Sequence, residues 1–328
     1  MPGSPASCRP QRHRLVLLAA LLAPLLPAAA QDWPSRPITV VLPFPAGGGT
    51  DVVVRALQPA LQKALGQPLV IDNRAGAGGT IGSGAVAKAA PDGYTVGVAT
   101  TSTHAVSTAV YKRLAYDPLK DFAYAGLIGS SPYVLVAHPS LKASDLKSFL
   151  AAVNAQPEGA SFASVGAGTV SHLLGEKFKT ALRVAPVHVP YRGAAPAYTD
   201  LIGGQVQFLF DNPVGLAAYI RSGQMSAIAS TAPNALLAGV PTFAQAGMAG
   251  FDQSLWYGFA FPKGTPAAIV ERFNRALNTV LTDRALAAEL AAKGVNATPG
   301  TPQAMQQAVS RETPFWGAIA RAAGVTPE

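Results

Sequence analysis

The segment ITVVLPFPAGGGTD, residues 38–51, indicates the class of the fold, because it joins two kinds of secondary structure. Ile38–Leu42 is a short apolar run, mostly of β-branched residues, which is typical of a buried strand. Thr50–Leu65 is a helix-length segment that begins directly after three glycines. Glycines permit the tight turn that such a junction needs. The segment therefore predicts a strand, a turn and a helix, which is the repeating unit of an α/β protein.

The same alternation continues outward from this unit and predicts an α/β fold with two lobes. The other predicted strands are Leu69–Ile71, Thr95–Ala99, Tyr133–Ala137, Val187–Val189, Val206–Phe210, Ala227–Ser230 and Ser254–Pro262. The other predicted helices are Thr80–Ala90, Ser144–Ala155, Thr169–Thr180, Ala194–Ile202, Pro213–Arg221, Pro266–Leu281, Asp283–Lys293 and Thr301–Arg321. Only helices follow the last strand, so we expect this tail to pack back on the first half. Crossovers between the lobes are expected near residues 125–130 and 250–256.

Residues 1–30 have the three parts of a secretory signal peptide. They are a basic head with Arg9, Arg12 and Arg14, the apolar stretch Leu15–Leu26, and the cleavage motif Ala28-Ala29-Ala30. A bilayer span needs ~20 apolar residues, so this stretch is too short. We expect an exported chain that begins at Gln31. The alternative is a retained membrane anchor, against which the interruptions at Pro24 and Pro27 argue.

The composition excludes several classes of protein. With 49% hydrophobic and 13% charged residues, the chain is not of the disordered class. The signal peptide contains three of the 25 basic residues and none of the 17 acidic ones, so its removal leaves a chain with a net charge of +5. It also takes Cys8, so the mature chain has no disulfide and no thiolate metal site. The basic residues are scattered, which argues against a nucleic-acid partner and favours small anions.

Three glycine-containing loops each lead into a predicted helix. The first, residues 43–51, holds Gly47, Gly48 and Gly49 and can bring helix amides close to an anion. Its alternative is an ordinary turn in which Thr50 or Asp51 caps the helix. The second loop, residues 73–84, contains a G-x-G-x-x-A match that lies too far from its strand to indicate a dinucleotide site. Its glycines either permit close helix packing or form a second anion site at the start of a helix. The third loop, residues 164–172, can present backbone amides and the Thr169 hydroxyl, and His172 there is expected to be neutral.

Signatures of catalysis and of metal binding are absent from the sequence. Neither the nucleophile elbow G-x-S-x-G nor the P-loop motif occurs. The histidines are His13, His104, His138, His172 and His188, and none stands two or four residues from another. We therefore predict no metal, no cofactor and no enzyme. Asp211 ends an apolar strand, where it either faces a ligand or caps the helix near Pro213.

The order of several motifs resembles one family of receptors. They are Trp33-Pro34-x-x-Pro37, Pro43-Phe44-Pro45-Ala46-Gly47-Gly48-x-x-Asp51, Asn73-Arg74-x-Gly76-Ala77-Gly78-Gly79, Pro91-Asp92-Gly93-Tyr94, Val189-Pro190-Tyr191-Arg192-Gly193 and Gly203-Gly204-Gln205-Val206. From about Trp33 to the C-terminus the chain resembles the Bug family, the solute receptors of tripartite tricarboxylate transporters. The resemblance implies a type II periplasmic-binding-protein fold. One lobe would comprise residues 31–127 and 254–328, and the other residues 128–253.

The resemblance also implies which residues bind the solute. From the glycine loops these are Phe44, Ala46, Gly47, Asp51, Ala77, Gly78, Gly166, Gly168 and Thr169. Positions expected to set ligand identity are Thr101, Ser102, Tyr191 and Asp211. Arg192 stands where a lysine is common in the family. A carboxylate at Asp211 would repel the far end of a dicarboxylate and pair with an ammonium group, which favours amino acids or amides.

The function implied is capture of a small carboxylate between two lobes in the periplasm. The candidate ligands are a dicarboxylate, an amino acid or an aromatic carboxylate or amide. A monomeric receptor would hand the ligand to the membrane permease subunits of a tripartite transporter. One alternative is a receptor that presents its ligand to a sensor kinase. Another is an exported hydrolase or isomerase that uses Asp51 or His172 as an acid–base group.

Overall fold

The structure of the chain is a computed structural model. It describes Gly3, residues 33–156, residues 159–325 and Pro327. The predicted signal peptide, residues 1–30, and the predicted mature start at Gln31 lie outside the described residues. Within the described part of the chain, every helix is too short or too polar to span a bilayer.

Strands and helices alternate along most of the chain. The strands are β1 (Ile38–Leu42), β2 (Leu69–Asn73), β3 (Thr95–Thr100), β4 (Phe122–Pro132), β5 (Val134–Ala137), β6 (Ser161–Ser164), β7 (Val187–Pro190), β8 (Phe208–Asp211), β9 (Ser226–Ser230), β10 (Ser254–Pro262) and β11 (Asn296–Ala297). The helices are α1 (Gly49–Leu65), α2 (Thr80–Ala87), α3 (Ser107–Val110), α4 (Leu146–Asn154), α5 (Val170–Lys179), α6 (Ala194–Ile202), α7 (Pro213–Arg221), α8 (Ala267–Leu281), α9 (Arg284–Ala292) and α10 (Pro302–Ala322).

The strands form two sheets, and each sheet is the centre of one lobe. The first sheet has the order β11-β4-β10-β3-β1-β2, and the second has the order β7-β6-β8-β5-β9. Two α/β lobes were predicted, and this arrangement confirms them. The pairing is mixed rather than wholly parallel. Strand β1 runs parallel to β2 and β3, whereas β10 runs antiparallel to β3 and β4 because it returns from the second lobe.

The chain passes between the lobes twice. Strand β4 stays in the first sheet as far as Pro132, and β5 of the second sheet begins at Val134. The first crossing therefore lies at Tyr133, a little beyond the expected residues 125–130. The second crossing lies between the end of β9 and the start of β10. As predicted, the helical tail returns to the first lobe, where Met305 and Val309 of α10 pack with Trp256 of β10.

Strands β4, β6 and β11 were missed by the sequence prediction. In β4, Gly126 and Gly129 interrupt the apolar run that marks a strand. The fold needs a small residue at Gly126 because helix α8 lies close against the strand, and at Gly129 because Val295 and Asn296 lie close. A Cβ atom on Gly126 would come within 2.7 Å of the Asn274 amide. That amide donates to Ala125 O at 2.7 Å and so joins α8 to β4.

Candidate functional site

Helix α1 begins directly after the first glycine loop, without a side-chain cap. Its N-cap residue is Gly48, which has no side chain to accept from the first-turn amides. Those amides have no partner within the helix, and the helix dipole adds partial positive charge at the same end. Gly49 and Thr50, the first helical residues, are buried. The start of α1 therefore offers buried hydrogen-bond donors and a positive potential.

Asp51 shapes the first loop and joins it to the second. Its Oδ2 atom accepts hydrogen bonds from Gly47 N at 3.0 Å and Arg55 Nε at 2.8 Å, and its Oδ1 accepts from Asn73 Nδ2 at 3.2 Å. Burial alone would raise the pKa of Asp51, but these hydrogen bonds outweigh it and hold the pKa below its usual value. Asn73 also donates to Phe44 O at 2.9 Å, so the two loops form one unit.

A cleft between the two sheets holds two adjoining cavities. The inner cavity, of 40 Å³, is lined by Phe44, Pro45, Gly48, Gly49, Thr50, Thr100, Ser102, Tyr133, Val165, Gly193, Ala194, Asp211, Asn212 and Leu255. The outer cavity, of 190 Å³, is lined by Pro43, Phe44, Pro45, Gly76, Ala77, Gly78, Gly79, Val165, Gly166, Ala167, Pro190, Tyr191, Arg192 and Gly193. Residues of both lobes line each cavity, so a ligand in the cleft would contact both.

The two lobes contact each other directly around the cleft. Tyr111 Oη, after α3 in the first lobe, donates to Ala167 O in the third loop at 2.8 Å. Val170 N of the second lobe donates to Ser102 Oγ of the first lobe at 3.1 Å. These hydrogen bonds can form only while the lobes lie together, so the structure is a closed form.

The third loop is held by hydrogen bonds within its own lobe. Gly166 N donates to Ser164 Oγ and Gly168 N donates to His172 Nδ1, each at 3.3 Å. The Thr169 hydroxyl donates to Gly166 O at 2.7 Å and caps α5 by accepting from His172 N. Contact of Gly166, Gly168 and Thr169 with a ligand therefore stays a prediction, since these donors have partners in the closed form.

Two histidines lie behind this loop. The rings of His172 and His188 stack at 4.0 Å, and His188 Nε2 lies 2.7 Å from Ser164 Oγ. Burial lowers the pKa of His172 to about 4 and that of His188 to about 3, which confirms the neutral His172 expected from the sequence. Glu176 completes a group that could hold a metal ion, which spacing along the sequence missed because His188 lies on another element. His172 Nδ1 accepts a hydrogen bond, so the neutral ring carries its proton on Nε2 and that atom is not free to bind metal.

Asp211 is buried at the second-lobe wall of the inner cavity. Its Oδ2 accepts from Tyr198 Oη at 2.6 Å, and its Oδ1 accepts from Asn212 N at 2.7 Å and from Asn212 Nδ2 at 2.9 Å. Burial raises the pKa of Asp211 to about 6 despite these donors. Of the two roles that the sequence left open, the cap is not observed, because the N-cap residue of α7 is Asn212.

The structure brings some of the predicted site residues to the cleft and leaves others behind it. Of the predicted residues, seven line one of these two cavities, namely Phe44, Ser102, Asp211, Ala77, Gly78, Gly166 and Tyr191. Six line neither of the two, namely Ala46, Gly47, Asp51, Thr101, Gly168 and Thr169. Thr101 instead accepts a hydrogen bond from Trp256 N at 2.9 Å. Sequence reasoning missed Tyr133 and Asn212. The strand-end rule that found Asp211 could have found its neighbour Asn212, but Tyr133 lies at a crossover that the sequence placed a few residues earlier, near residues 125–130.

Comparison with known proteins identifies the chain. Residues 53–325 match the family described as "Tripartite tricarboxylate transporter family receptor". The chain belongs to this receptor family. It is 37% identical to Protein BugT of Bordetella pertussis over 301 residues, which cover 91% of this chain and 92% of BugT. It is also 36% identical to a protein from the tcbD-tcbE intergenic region of Pseudomonas sp., over 87% of this chain and 85% of that protein.

Solved structures agree with this assignment. The periplasmic binding protein BugD superposes with a TM-score of 0.86 at 33% identity, over 90% of this receptor and 100% of BugD. Rpa4515 of R. palustris, solved with adipate, gives a TM-score of 0.87 at 33% identity, over 90% and 100% of the two chains. MatC of Rhodopseudomonas palustris, solved with malate, gives a TM-score of 0.82 at 34% identity, over 88% of this receptor and 99% of MatC. These matches confirm the predicted periplasmic-binding-protein fold. The relatives are binding proteins and receptors rather than enzymes, as predicted.

Proposed function

We propose that this receptor is exported to the periplasm, binds a small carboxylate in the cleft, and delivers it to the membrane subunits of a tripartite tricarboxylate-type transporter. The leader-like composition of residues 1–30 supports export. BugD, described as a periplasmic binding protein, supports the compartment. The relatives solved with adipate and with malate support a small carboxylate as the ligand.

The observation that carries this proposal is the uncapped start of α1 at the inner cavity. A helix N-terminus carries about half a positive charge and free amide donors, so it binds an anion without a cationic side chain. Gly48, Gly49 and Thr50 line the cavity at this point. The backbone amides of Gly49 and Thr50 are the contacts we propose for the ligand's carboxylate.

Closure of the lobes is the second part of the proposal. Since both lobes wall the cleft, a ligand enters when the lobes separate and then favours the closed form by contacting both. Gly78 lies where the lobes meet. Its φ is +60°, and a Cβ atom added there would lie 2.5 Å from Ala167 O of the other lobe. A larger residue at position 78 should therefore hold the lobes apart.

The test compares Gly78→Ala with Gly66→Ala. Gly66 has a similar backbone, with φ +75°, but open space around it, so its substitution reproduces the local strain without blocking closure. Thermal unfolding is measured with succinate, malate, adipate, citrate, glutamate and nicotinate. A ligand at about a hundred times its Kd adds ~2.7 kcal/mol to the free energy of unfolding. We expect at least one acid to stabilise the wild type and the Gly66→Ala variant, and to leave Gly78→Ala unchanged. No stabilisation by any of these acids, or equal stabilisation of Gly78→Ala, would contradict the proposal.

Delivery is tested separately, in vesicles that contain the large and small membrane subunits of such a transporter. Uptake of a radiolabelled ligand should require the loaded receptor. Uptake that is independent of the receptor would exclude delivery while leaving ligand capture intact.

A further inference from the structure

The two lobes touch at the walls of the inner cavity, and glycines stand at the points of contact. A Cβ atom added to Gly49 of the first lobe would lie 2.3 Å from Asn212 Oδ1 of the second lobe. A Cβ atom added to Gly193 of the second lobe would lie 2.6 Å from Pro45 Cγ of the first lobe. Both distances are shorter than van der Waals contact, so no side chain fits at either glycine. The cavity between these walls therefore has a fixed size in the closed form.

Asn212 is held against Gly49 by its own lobe. Its Nδ2 atom donates to Asp211 Oδ1 at 2.9 Å, and only 5% of the residue is exposed. Asp211 also accepts from Asn212 N at 2.7 Å and from Tyr198 Oη at 2.6 Å. These donors stabilise the charge of Asp211 and so reduce its repulsion of a bound anion. The carboxamide of Asn212 is fixed from behind and forms a firm wall beside the start of α1.

The inner cavity has room for one carboxylate group. Since one water needs ~10–15 Å³ of such a cavity, its volume of 40 Å³ holds about three atoms of that size. A carboxylate has three non-hydrogen atoms. Two uncapped helix starts, that of α1 after Gly48 and that of α6 after Gly193, lie at the cavity on opposite lobes. Both favour an anion there, so a carboxylate fills the cavity and the rest of the ligand lies outside it.

The carbon next to this carboxylate must lie in the passage to the outer cavity. Phe44 and Pro45 of the first lobe and Val165 and Gly193 of the second line both cavities and form this passage. The passage is apolar, and it is narrow because Pro45 lies against Gly193. A CH2 group suits it. A carbon that carries a methyl, hydroxyl or ammonium group is broader, and the two polar groups would also lose their hydrogen bonds to water.

We propose that the inner cavity selects acids in which a CH2 group follows the carboxylate, excludes acids whose α-carbon is substituted, and owes this selectivity to Asn212. This inference rests on the proposed function, since it assumes that the ligand's carboxylate binds the start of α1. A substituent on the α-carbon must push the lobes apart. That movement breaks hydrogen bonds of the closed form, such as the one from Tyr111 Oη to Ala167 O. The outer cavity, of 190 Å³, accepts substituents farther along the ligand.

The experiment is calorimetric titration of the whole protein with two kinds of acid. Succinate, malate, adipate, citrate, glutamate, 3,3-dimethylglutarate and 4-aminobutanoate each have a CH2 group next to a carboxylate. Tartrate, nicotinate, 2,4-dimethylglutarate and 2-aminobutanoate have none. The two dimethylglutarates form a matched pair of equal formula and charge, and so do the two aminobutanoates.

We expect the best acid of the first kind to bind at least tenfold more tightly than every acid of the second kind. An acid of the second kind that binds within tenfold of the best acid overturns the inference while the proposed function stands. Failure of every acid of both kinds to bind overturns the proposed function itself.

Two variants assign the selectivity to the walls. Asn212→Ala removes the carboxamide beside Gly49, so acids of the second kind should gain at least threefold in affinity relative to those of the first. The control is Asn154→Ala, since the Asn154 carboxamide accepts from Arg183 N at 2.7 Å and lines neither cavity. It should leave the selectivity unchanged. Unchanged selectivity in a folded Asn212→Ala variant overturns the role of Asn212.

Val165→Ala is the second variant, in case Asn212→Ala folds poorly. It widens the passage without touching the hydrogen bonds of Asp211. The selectivity between the members of each matched pair should fall in this variant too. Unchanged selectivity in Val165→Ala overturns the inference, because the α-carbon then does not lie in the passage.

Discussion

Replacing Tyr111 by phenylalanine is expected to weaken the binding of every ligand by about the same factor. The variant loses the hydroxyl that donates to Ala167 O at 2.8 Å from one lobe to the other. This hydrogen bond exists only in the closed form, so it stabilises the closed form relative to the open form. Its loss shifts the equilibrium between these forms before any ligand is present.

The size of the effect follows from the geometry. A neutral, partly buried hydrogen bond contributes about 1 kcal/mol to stability. At 25 °C this corresponds to a roughly fivefold fall in the ratio of closed to open protein. Ligand binding must then supply the lost free energy, so each Kd should rise by up to about fivefold. The factor should not depend on the chemistry of the ligand, because the hydroxyl bonds to the other lobe rather than to the ligand.

The assay is calorimetric titration with two unlike ligands, combined with the radius of gyration of the ligand-free protein from small-angle scattering. The control is Tyr94→Phe, which removes a hydroxyl that accepts from Ser35 N at 3.1 Å outside the cleft. We expect Tyr111→Phe to raise both Kd values and the radius of gyration, and the control to change neither. If Tyr111→Phe weakens the binding of one ligand and not of the other, the hydroxyl contacts the ligand, which would contradict this prediction. Unchanged affinity for both would refute it as well.

Three further substitutions test the parts that support the cleft. Asp51→Asn should lower the free energy of unfolding by about 1–2 kcal/mol at pH 7. Because the folded state holds the pKa of Asp51 below 3.8, this difference should disappear as the pH falls below that value, which denaturant unfolding at several pH values can measure. His104 is buried with its pKa lowered to about 3, so below pH 6.5 the unfolded state takes up a proton that the folded state does not. Between pH 7.5 and pH 5 this uptake lowers the free energy of unfolding of the wild type by about 2 kcal/mol, and His104→Phe should abolish that part of the decrease. An equal decrease in the variant and in the wild type would contradict this. Thr169→Val removes the cap of α5 and should cost about 1 kcal/mol, with faster amide exchange at His172 as the local readout.

The first strand–turn–helix unit could be predicted from the sequence because its information is local. Strand β1 was predicted with its observed bounds, Ile38–Leu42, and helix α1 was predicted one residue short of its start at Gly49. Strand β4 could not be predicted in the same way. Gly126 and Gly129 are present because neighbouring elements approach closely, and the sequence does not show that approach.

The residues of the site also differ in whether a local sequence signal marks them. The start of α1 and Asp211 were found because a glycine turn and a polar residue at a strand end are local signals. Tyr111 and Tyr133 reach the cleft through the packing of one lobe on the other, for which the sequence holds no local pattern. The pairing of His172 with His188 was missed for the same reason, since the two residues lie on different elements.

In the proposed complex, backbone amides at the start of α1 hold the carboxylate of a solute between the two lobes. The most direct measurement is a crystal structure of the receptor with an acid that stabilises it. We expect one ligand carboxylate to lie about 2.7–3.2 Å from the amide nitrogens of Gly49 and Thr50, the usual hydrogen-bond range, with both lobes in contact with the ligand. A carboxylate held instead by the Arg192 guanidinium, or a ligand bound outside the cleft, would contradict it.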